Sequence, residues 1–372
     1  MLVIAFLVFQ NDPLTELWYS GTYSIYGNDS WKFIENTLDP VNPPYLYHLV
    51  ATSLHYLIPY TIGSIVFPAD FALKLSILLI QYLTSLLTVF LLYQFLSTCF
   101  DLKMNVCLVL IVIYDFLFMS PFLILASSEI LFLFYQMLAW TFFNRERYFF
   151  AAIAASMTFA LRFNGAFFII GLFIALFLKW WKNKEISILL IIKVGLTSIS
   201  MVVIGFISFF QSLLVYNDFW LPLTLQNEMY IRFLGTKGNE IVSIPFLWWI
   251  DYTIWILHSN SIKETGFFVL GVLTFILGIF SVFKLFKWSH QEKLEFQYVL
   301  TVLFSCGFIG INFLKSVNNY ARFQSTIFPI FPAFPLILKE HSFSSLSLKL
   351  ISIGSIIVGI SFNVGWWLLY TI

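Results

Sequence analysis

Long apolar runs constrain the fold of this chain more than any other feature of its sequence. They recur along the chain between short polar connectors, at 71–98, 104–118, 122–143, 148–163, 165–181, 187–215, 266–286, 297–314, 323–338 and 349–372. A helix crosses the hydrocarbon core of a bilayer with roughly 20 apolar residues, and these runs reach or approach that length. The sequence therefore predicts an all-α fold, a polytopic transmembrane helical bundle surrounded by membrane lipids.

The composition excludes the soluble alternatives. Hydrophobic residues make up 60% of the chain and charged residues only 10%, whereas a soluble domain carries about 25% charged residues. So few charges cannot cover a water-facing surface of this size. The net charge of +1 gives no reason to expect a nucleic acid as partner.

The basic residues predict which helix ends face the cytoplasm, because short cytoplasmic loops collect Lys and Arg. More than half of the 20 basic residues fall in or beside one alternating set of connectors: Lys103, Arg145, Arg147, Lys179, Lys182, Lys184, Lys284, Lys287, Lys293, Lys339 and Lys349. The opposite set contains two long loops, 10–70 and 216–265. We predict that these loops lie on the outer or lumenal face, of a plasma membrane in a prokaryote or an ER membrane in a eukaryote.

One apolar segment, 46–67, does not fit that alternation. It follows Asn42-Pro43-Pro44 and contains two histidines and Pro59, and a full crossing here would break the segregation of basic residues. We predict instead an interfacial or re-entrant helix on the outer side. With the N-terminal run 1–9 as the outer end of a first helix, about eleven spans remain, in one domain over 1–372.

The outer face is where we expect any chemistry. The cytoplasmic connectors are too short for a nucleotide-binding domain, and neither a GxxxxGKS/T nor a GxGxxG motif occurs. The five histidines lack the HExxH spacing of a metalloprotease, and the three cysteines show no ligand spacing. No metal site and no soluble cofactor are therefore predicted, although assistance by a divalent cation stays open.

Two carboxylates fall near the outer ends of predicted helices. Glu129 follows Ser127 and Ser128, where a helix N-terminus and two hydroxyls can hold its charge. Ionisable groups at membrane depth are costly and often functional. Glu129 is therefore a candidate substrate-binding residue, with a purely capping carboxylate as the alternative. Asp115 falls near the same outer end.

Two arginines are candidates for binding an anion. Arg162 stands in a tight turn between two apolar runs, and Arg322 directly precedes a Pro-rich run. The planar guanidinium of arginine suits a phosphate. For Arg162, a structural partner such as Glu129 and a substrate phosphate are both open. For Arg322, the alternative to phosphate binding is an interfacial anchor.

The two outer loops supply further polar candidates. Asp12 stands directly after the first apolar run, where a carboxylate can act as general base toward an acceptor hydroxyl. Glu16 and Asp39 follow in the same loop, and solvated acids with no task are the alternative for all three. The second loop adds polar residues among tryptophans that are typical of membrane interfaces: Asp218, Gln226, Glu228 and Arg232.

In order and spacing, these stretches resemble the GT-C superfamily of membrane glycosyltransferases. Within it, the chain looks most like the second mannosyltransferase of GPI-anchor synthesis and its prokaryotic relatives. The likeness covers most of the chain, in short stretches: Asn42-Pro43-Pro44-Tyr45, Ser120-Pro121 with Ser128-Glu129, Arg162-Phe163-Asn164-Gly165, Asp218 to Gln226, and Tyr320-Ala321-Arg322-Phe323 before the Pro-rich run.

The resemblance implies a transferase that takes a sugar, with mannose expected, from a polyprenyl- or dolichyl-phosphate donor and passes it to a lipid or glycan acceptor. It implies Asp12 as the catalytic base by position only, because the family has Arg-Trp-Asp where this chain has Gln10-Asn11-Asp12. The implied substrate-binding residues, with the arginines holding the lipid phosphate, are Glu129, Arg162, Gln226 and Arg322.

Two other functions stay open at this point. A transporter or flippase for a lipid-linked substrate predicts pseudo-symmetric halves and charged groups near the middle of the bilayer, and the sequence shows neither. A purely structural membrane subunit is the third possibility.

Overall fold

The computed structural model describes residues 48–115, 128–162, 165–183, 188–221, 224, 249–250, 253–254, 257–258, 262–292, 295–312, 333–341 and 343–371. Within these ranges every regular element is a helix. In chain order they are α1 (His48–Gly63), α2 (Ala69–Cys99), α3 (Met104–Ile113), α4 (Ser128–Asn144), α5 (Tyr148–Leu161), α6 (Gly165–Asn183), α7 (Ile188–Gly205), α8 (Ile207–Tyr216), α9 (Ile262–Glu292), α10 (Glu295–Asn312), α11 (Ala333–Glu340) and α12 (Ser345–Thr371). The all-α prediction is confirmed for this part of the chain.

Two of these helices are long and apolar enough to cross a membrane. Their apolar windows are Leu75–Cys99 in α2 and Gly271–His290 in α9, judged by length and composition alone. Among the described residues, the other apolar helical stretches are 10–17 residues long, which is shorter than a span requires. The prediction of about eleven spans therefore stays a prediction.

Contacts between helices give their relative directions. A Cβ on Gly171 of α6 would lie 3.1 Å from Leu303 of α10, and one on Gly310 of α10 would meet the ring of Phe167 near the start of α6. These two helices are therefore antiparallel. The α5 and α7 helices run parallel instead, because Lys193 lies over the ring of Tyr148 near their starts and Phe206 packs on Phe159 near their ends.

One end of the bundle, which we call the basic end, joins the C-terminal ends of α2, α4, α9 and α11. Phe100 stacks on Trp288 with ring centroids 5.1 Å apart, and the Lys339 ammonium lies 6.0 Å from the same indole. The Trp140 indole N–H donates to the Cys99 thiol at 3.3 Å. Basic residues predicted to share one face therefore meet at this end, among them Lys103, Arg145, Arg147, Lys284 and Lys339.

The α1 helix packs antiparallel along the first half of α2. A Cβ on Gly63 would lie 3.3 Å from Ala72, and Gln81 Nε2 donates to the hydroxyl of Tyr56 at 2.8 Å. The 16 residues of α1 extend about 24 Å alongside α2. This lengthwise packing beside a candidate span favours the re-entrant alternative for segment 46–67, and both the re-entrant and the interfacial alternatives stay predictions.

Candidate functional site

The hairpin of α4 and α5 brings two predicted site residues together. Its turn lies at the basic end, so the start of α4 and the end of α5 meet at the opposite end, which we call the site end. Glu129 stands in the first turn of α4. Arg162 ends α5 with extended backbone angles, φ −154° and ψ 137°. Two residues that are far apart in sequence therefore become neighbours.

A glycine makes the turn after Arg162 possible. The backbone N–H of Gly165 donates to the carbonyl of Arg162 at 2.9 Å, and α6 starts at once. A Cβ on Gly165 would lie only 2.4 Å from the carbonyl of Thr158, so any larger residue would push the turn away from α5. The glycine of the predicted Arg162-Phe163-Asn164-Gly165 stretch is therefore required for steric reasons.

Arg162 and Glu129 form a buried ion pair. The Nη1 group of Arg162 donates to Oε1 of Glu129 and lies 3.4 Å from the hydroxyl oxygen of Ser128, which accepts a second bond. The Glu129 side chain is 0% exposed and that of Arg162 is 12% exposed. Removing two charges from water is unfavourable unless they pair closely, and this pair meets that condition.

The structure shows where these two residues lie, and their roles in substrate binding stay predictions. Glu129 lies at a helix start, as predicted. The Ser128 hydroxyl, which was predicted to help hold the charge of Glu129, accepts a hydrogen bond from Arg162. Of the two partners considered for Arg162, the structure contains the carboxylate of Glu129.

Polar side chains link α1 to α2 and to α4, the helix whose first turn contains this pair's carboxylate, and the sequence interpretation missed them. Tyr56 is fully buried, accepts the bond from Gln81, and lies close enough to Glu129 for their charges to interact. His55 Nε2 and the Tyr135 hydroxyl are 2.8 Å apart. The signal that could have revealed them is a polar residue such as Gln81 inside an apolar run.

An aromatic cluster covers the end of α5. Phe159 packs against Phe206 and Phe209, and Phe219 packs against both of these rings. The predicted stretch that begins at Asn217 therefore lies at the site end. Its Phe219 packs on the rings that contact Phe159, which is three residues before Arg162. Its Asp218 carboxylate accepts the backbone N–H of Trp220 at 2.9 Å, which is a local turn bond.

Several predicted residues lie outside the described ranges: Asp12, Glu16, Asp39, Gln226, Glu228 and Arg322, together with Arg232. Asp115 is described and is half-buried just beyond the end of α3. Asn312 is buried at the end of α10, and this end lies near the start of α6, at the site end.

The described site contains one guanidinium, held by a carboxylate and a hydroxyl. Glu129 and Ser128 position Arg162, which suits phosphate recognition. In the described part of the chain, no group of three or more His, Cys, Asp or Glu residues could hold a metal ion. Comparisons of the chain with protein families, curated proteins and solved structures found no match.

Proposed function

We propose that this chain is a multi-pass membrane glycosyltransferase with a GT-C-like bundle of about eleven spans. It moves a sugar, with mannose expected, from a polyprenyl- or dolichyl-phosphate donor to a lipid or glycan acceptor. The observation that carries the proposal is the convergence of three stretches at the site end: Ser128-Glu129, Arg162 to Gly165, and Asn217 to Trp220. Each of them resembles a GT-C motif, and they are far apart in sequence.

The membrane placement is supported by charge segregation together with the two candidate spans. The described basic residues of the predicted set meet at one end of the bundle, whereas the buried ion pair lies at the other. Short cytoplasmic loops collect Lys and Arg, so the site end is the outer or lumenal end. A lipid-phosphate donor presents its head group at such a surface.

In the proposed reaction, Asp12 takes the proton of the acceptor hydroxyl while the acceptor oxygen bonds to the anomeric carbon. The bond from that carbon to the lipid phosphate breaks, and the phosphate leaves with the electron pair and an added negative charge. Arg162 and Arg322 stabilise this charge. Glu129 keeps the Arg162 guanidinium in place, and Gln226 contacts the substrate.

The test is a transfer assay in proteoliposomes with radiolabelled polyprenyl-phosphate mannose and a lipid acceptor extract. Arg162→Gln should weaken donor binding by about 10- to 100-fold, because a charge-assisted hydrogen bond contributes roughly 1.5–3 kcal/mol. The double variant Glu129→Gln/Arg162→Gln, which leaves no unpaired buried charge, separates this effect from misfolding. Lys284→Gln removes a basic residue at the opposite end and should leave transfer unchanged.

Two outcomes would contradict the proposal. One is a folded double variant that transfers the sugar as well as wild type. The other is movement of the labelled lipid-linked sugar across the membrane with no transfer product, which would favour a flippase.

A further inference from the structure

The α1 helix has two chemically different faces. Tyr56 and Gly63 lie on the face that meets α2, and His55 Nε2 lies 2.8 Å from the Tyr135 hydroxyl of α4. Residues follow each other at about 100° around a helix, which puts Leu54 and Ile58 nearly opposite Tyr56. These two side chains are 45% and 70% exposed. Leu57 and Ile62 of α1 are exposed as well, and so is Ile65 in the turn that follows.

This exposed face contains no charged residue. No Asp, Glu, Lys or Arg occurs from residue 48 to residue 69, and the turn after α1 exposes Val66 and Phe67 as well. By contrast, the turns at the basic end contain Asp101 and Lys103 or the stretch Arg145-Glu146-Arg147. A contiguous apolar surface of this kind is unfavourable in water, so something apolar must cover it.

The neighbouring helix α2 also exposes apolar side chains. The exposed side chains of α2 include Phe71, Leu75, Leu79 and Leu83, and Leu75 begins the candidate span of that helix. Because α1 lies lengthwise beside this span, the hydrocarbon that surrounds α2 also reaches α1. A protein partner would need to cover α1 and part of a membrane span together.

We infer that α1 is a lipid-facing wall of the candidate site, with bilayer acyl chains on the face of Leu54, Ile58 and Ile62, and with His55 in contact with Tyr135 of α4 on the protein side. A single helix thickness then separates this part of α4, a helix with Glu129 in its first turn, from the bilayer. A lipid-borne substrate that approaches the pair from the membrane passes α1. The inference rests on the proposed membrane placement and is independent of sugar transfer.

Fluorescence quenching tests this inference. In full-length protein with Cys306→Ala, the variants Ile58→Cys and Ile62→Cys are labelled with a small thiol-reactive fluorophore and reconstituted into liposomes. Leu83→Cys on α2 is the matched lipid-facing position, and Arg145→Cys in the exposed turn at the basic end is the aqueous one. Quenchers are phospholipids with brominated acyl chains, or iodide in the buffer.

Positions 58 and 62 should lose as much fluorescence with brominated lipids as position 83, and iodide should quench only position 145. Iodide quenching at 58 and 62, with lipid quenching retained at 83, would overturn this inference and leave the membrane placement standing. Protection from both quenchers would overturn it too, because protein would then cover the face. Absence of lipid quenching at 83 would instead contradict the membrane placement itself.

Discussion

Arg162, at the end of α5, donates a hydrogen bond to the carboxylate of Glu129, at the start of α4. The pair closes the hairpin of these two helices at the end opposite to its turn. Both side chains are largely withdrawn from solvent, so each charge depends on the other for stability. The contact therefore serves the fold as well as the proposed binding of a lipid phosphate.

The first prediction concerns this dependence. Glu129→Gln should destabilise the protein by about 3–5 kcal/mol, because it leaves the Arg162 guanidinium buried without its carboxylate. Glu129→Gln/Arg162→Met removes both charges and should be less destabilised than Glu129→Gln alone. Thermal unfolding in detergent, followed by gel filtration, measures the difference. Additive losses in the double variant would contradict the coupling.

The second prediction concerns the turn that presents Arg162. Gly165→Ala places a methyl group against the carbonyl of Thr158, where a Cβ would lie 2.4 Å away. We expect a lower melting temperature and weaker donor binding, because the turn must move. Gly354→Ala in α12 is the matched control, since a Cβ there meets nothing within 4 Å, and it should be neutral or stabilise by up to about 1 kcal/mol. Equal effects at both glycines would refute the steric argument.

The third prediction concerns pH and uses the ion pair at the basic end. Lys284 Nζ donates to Glu340 at 2.6 Å, and this bond lowers the pKa of the Glu340 carboxyl below its usual value. A carboxyl with a lowered pKa stabilises the fold above its usual pKa and loses that contribution as the pH falls through the lowered one. Because Glu340 is 47% exposed, solvent screens the pair and the effect should be small.

The measurement is the melting temperature of wild type and Glu340→Gln between about pH 7 and pH 3, a range that brackets carboxyl pKa values. Wild type should be slightly more stable at the upper end, and the two curves should converge as the pH falls. A difference that grows toward acid pH would show that the pair does not stabilise the fold.

Most helices were predictable because long apolar runs specify a helix whatever its neighbours are. The run 165–181, for example, corresponds to α6 at Gly165–Asn183. The orientation of α1 was not predictable, since it depends on Tyr56 meeting Gln81 in another helix. For Arg162 the sequence left two partners open, because a guanidinium recognises carboxylate and phosphate alike. Asp12, Gln226 and Arg322 remain predictions.

The fourth prediction is the direction of the chain across the membrane. Segregation of basic residues places Asn183 in the cytoplasm and Asp218 outside. In the Cys306→Ala background, Asp218→Cys should react with a membrane-impermeant thiol reagent added to intact cells. Asn183→Cys should react only after the cells are opened. The reverse pattern would place the site end on the cytoplasmic side.

The last prediction concerns the catalytic base. Asp12→Asn keeps the shape of the side chain but removes its ability to take a proton. General base catalysis contributes roughly 10²- to 10⁴-fold, so transfer from polyprenyl-phosphate mannose should fall by that factor while binding of the labelled donor is retained. This separates Asp12 from Arg162, whose replacement should weaken donor binding. Glu16→Gln, in the same loop, is the control and should remain active. If Asp12→Asn keeps full activity while Glu16→Gln or Asp39→Asn loses it, the base lies at that other position.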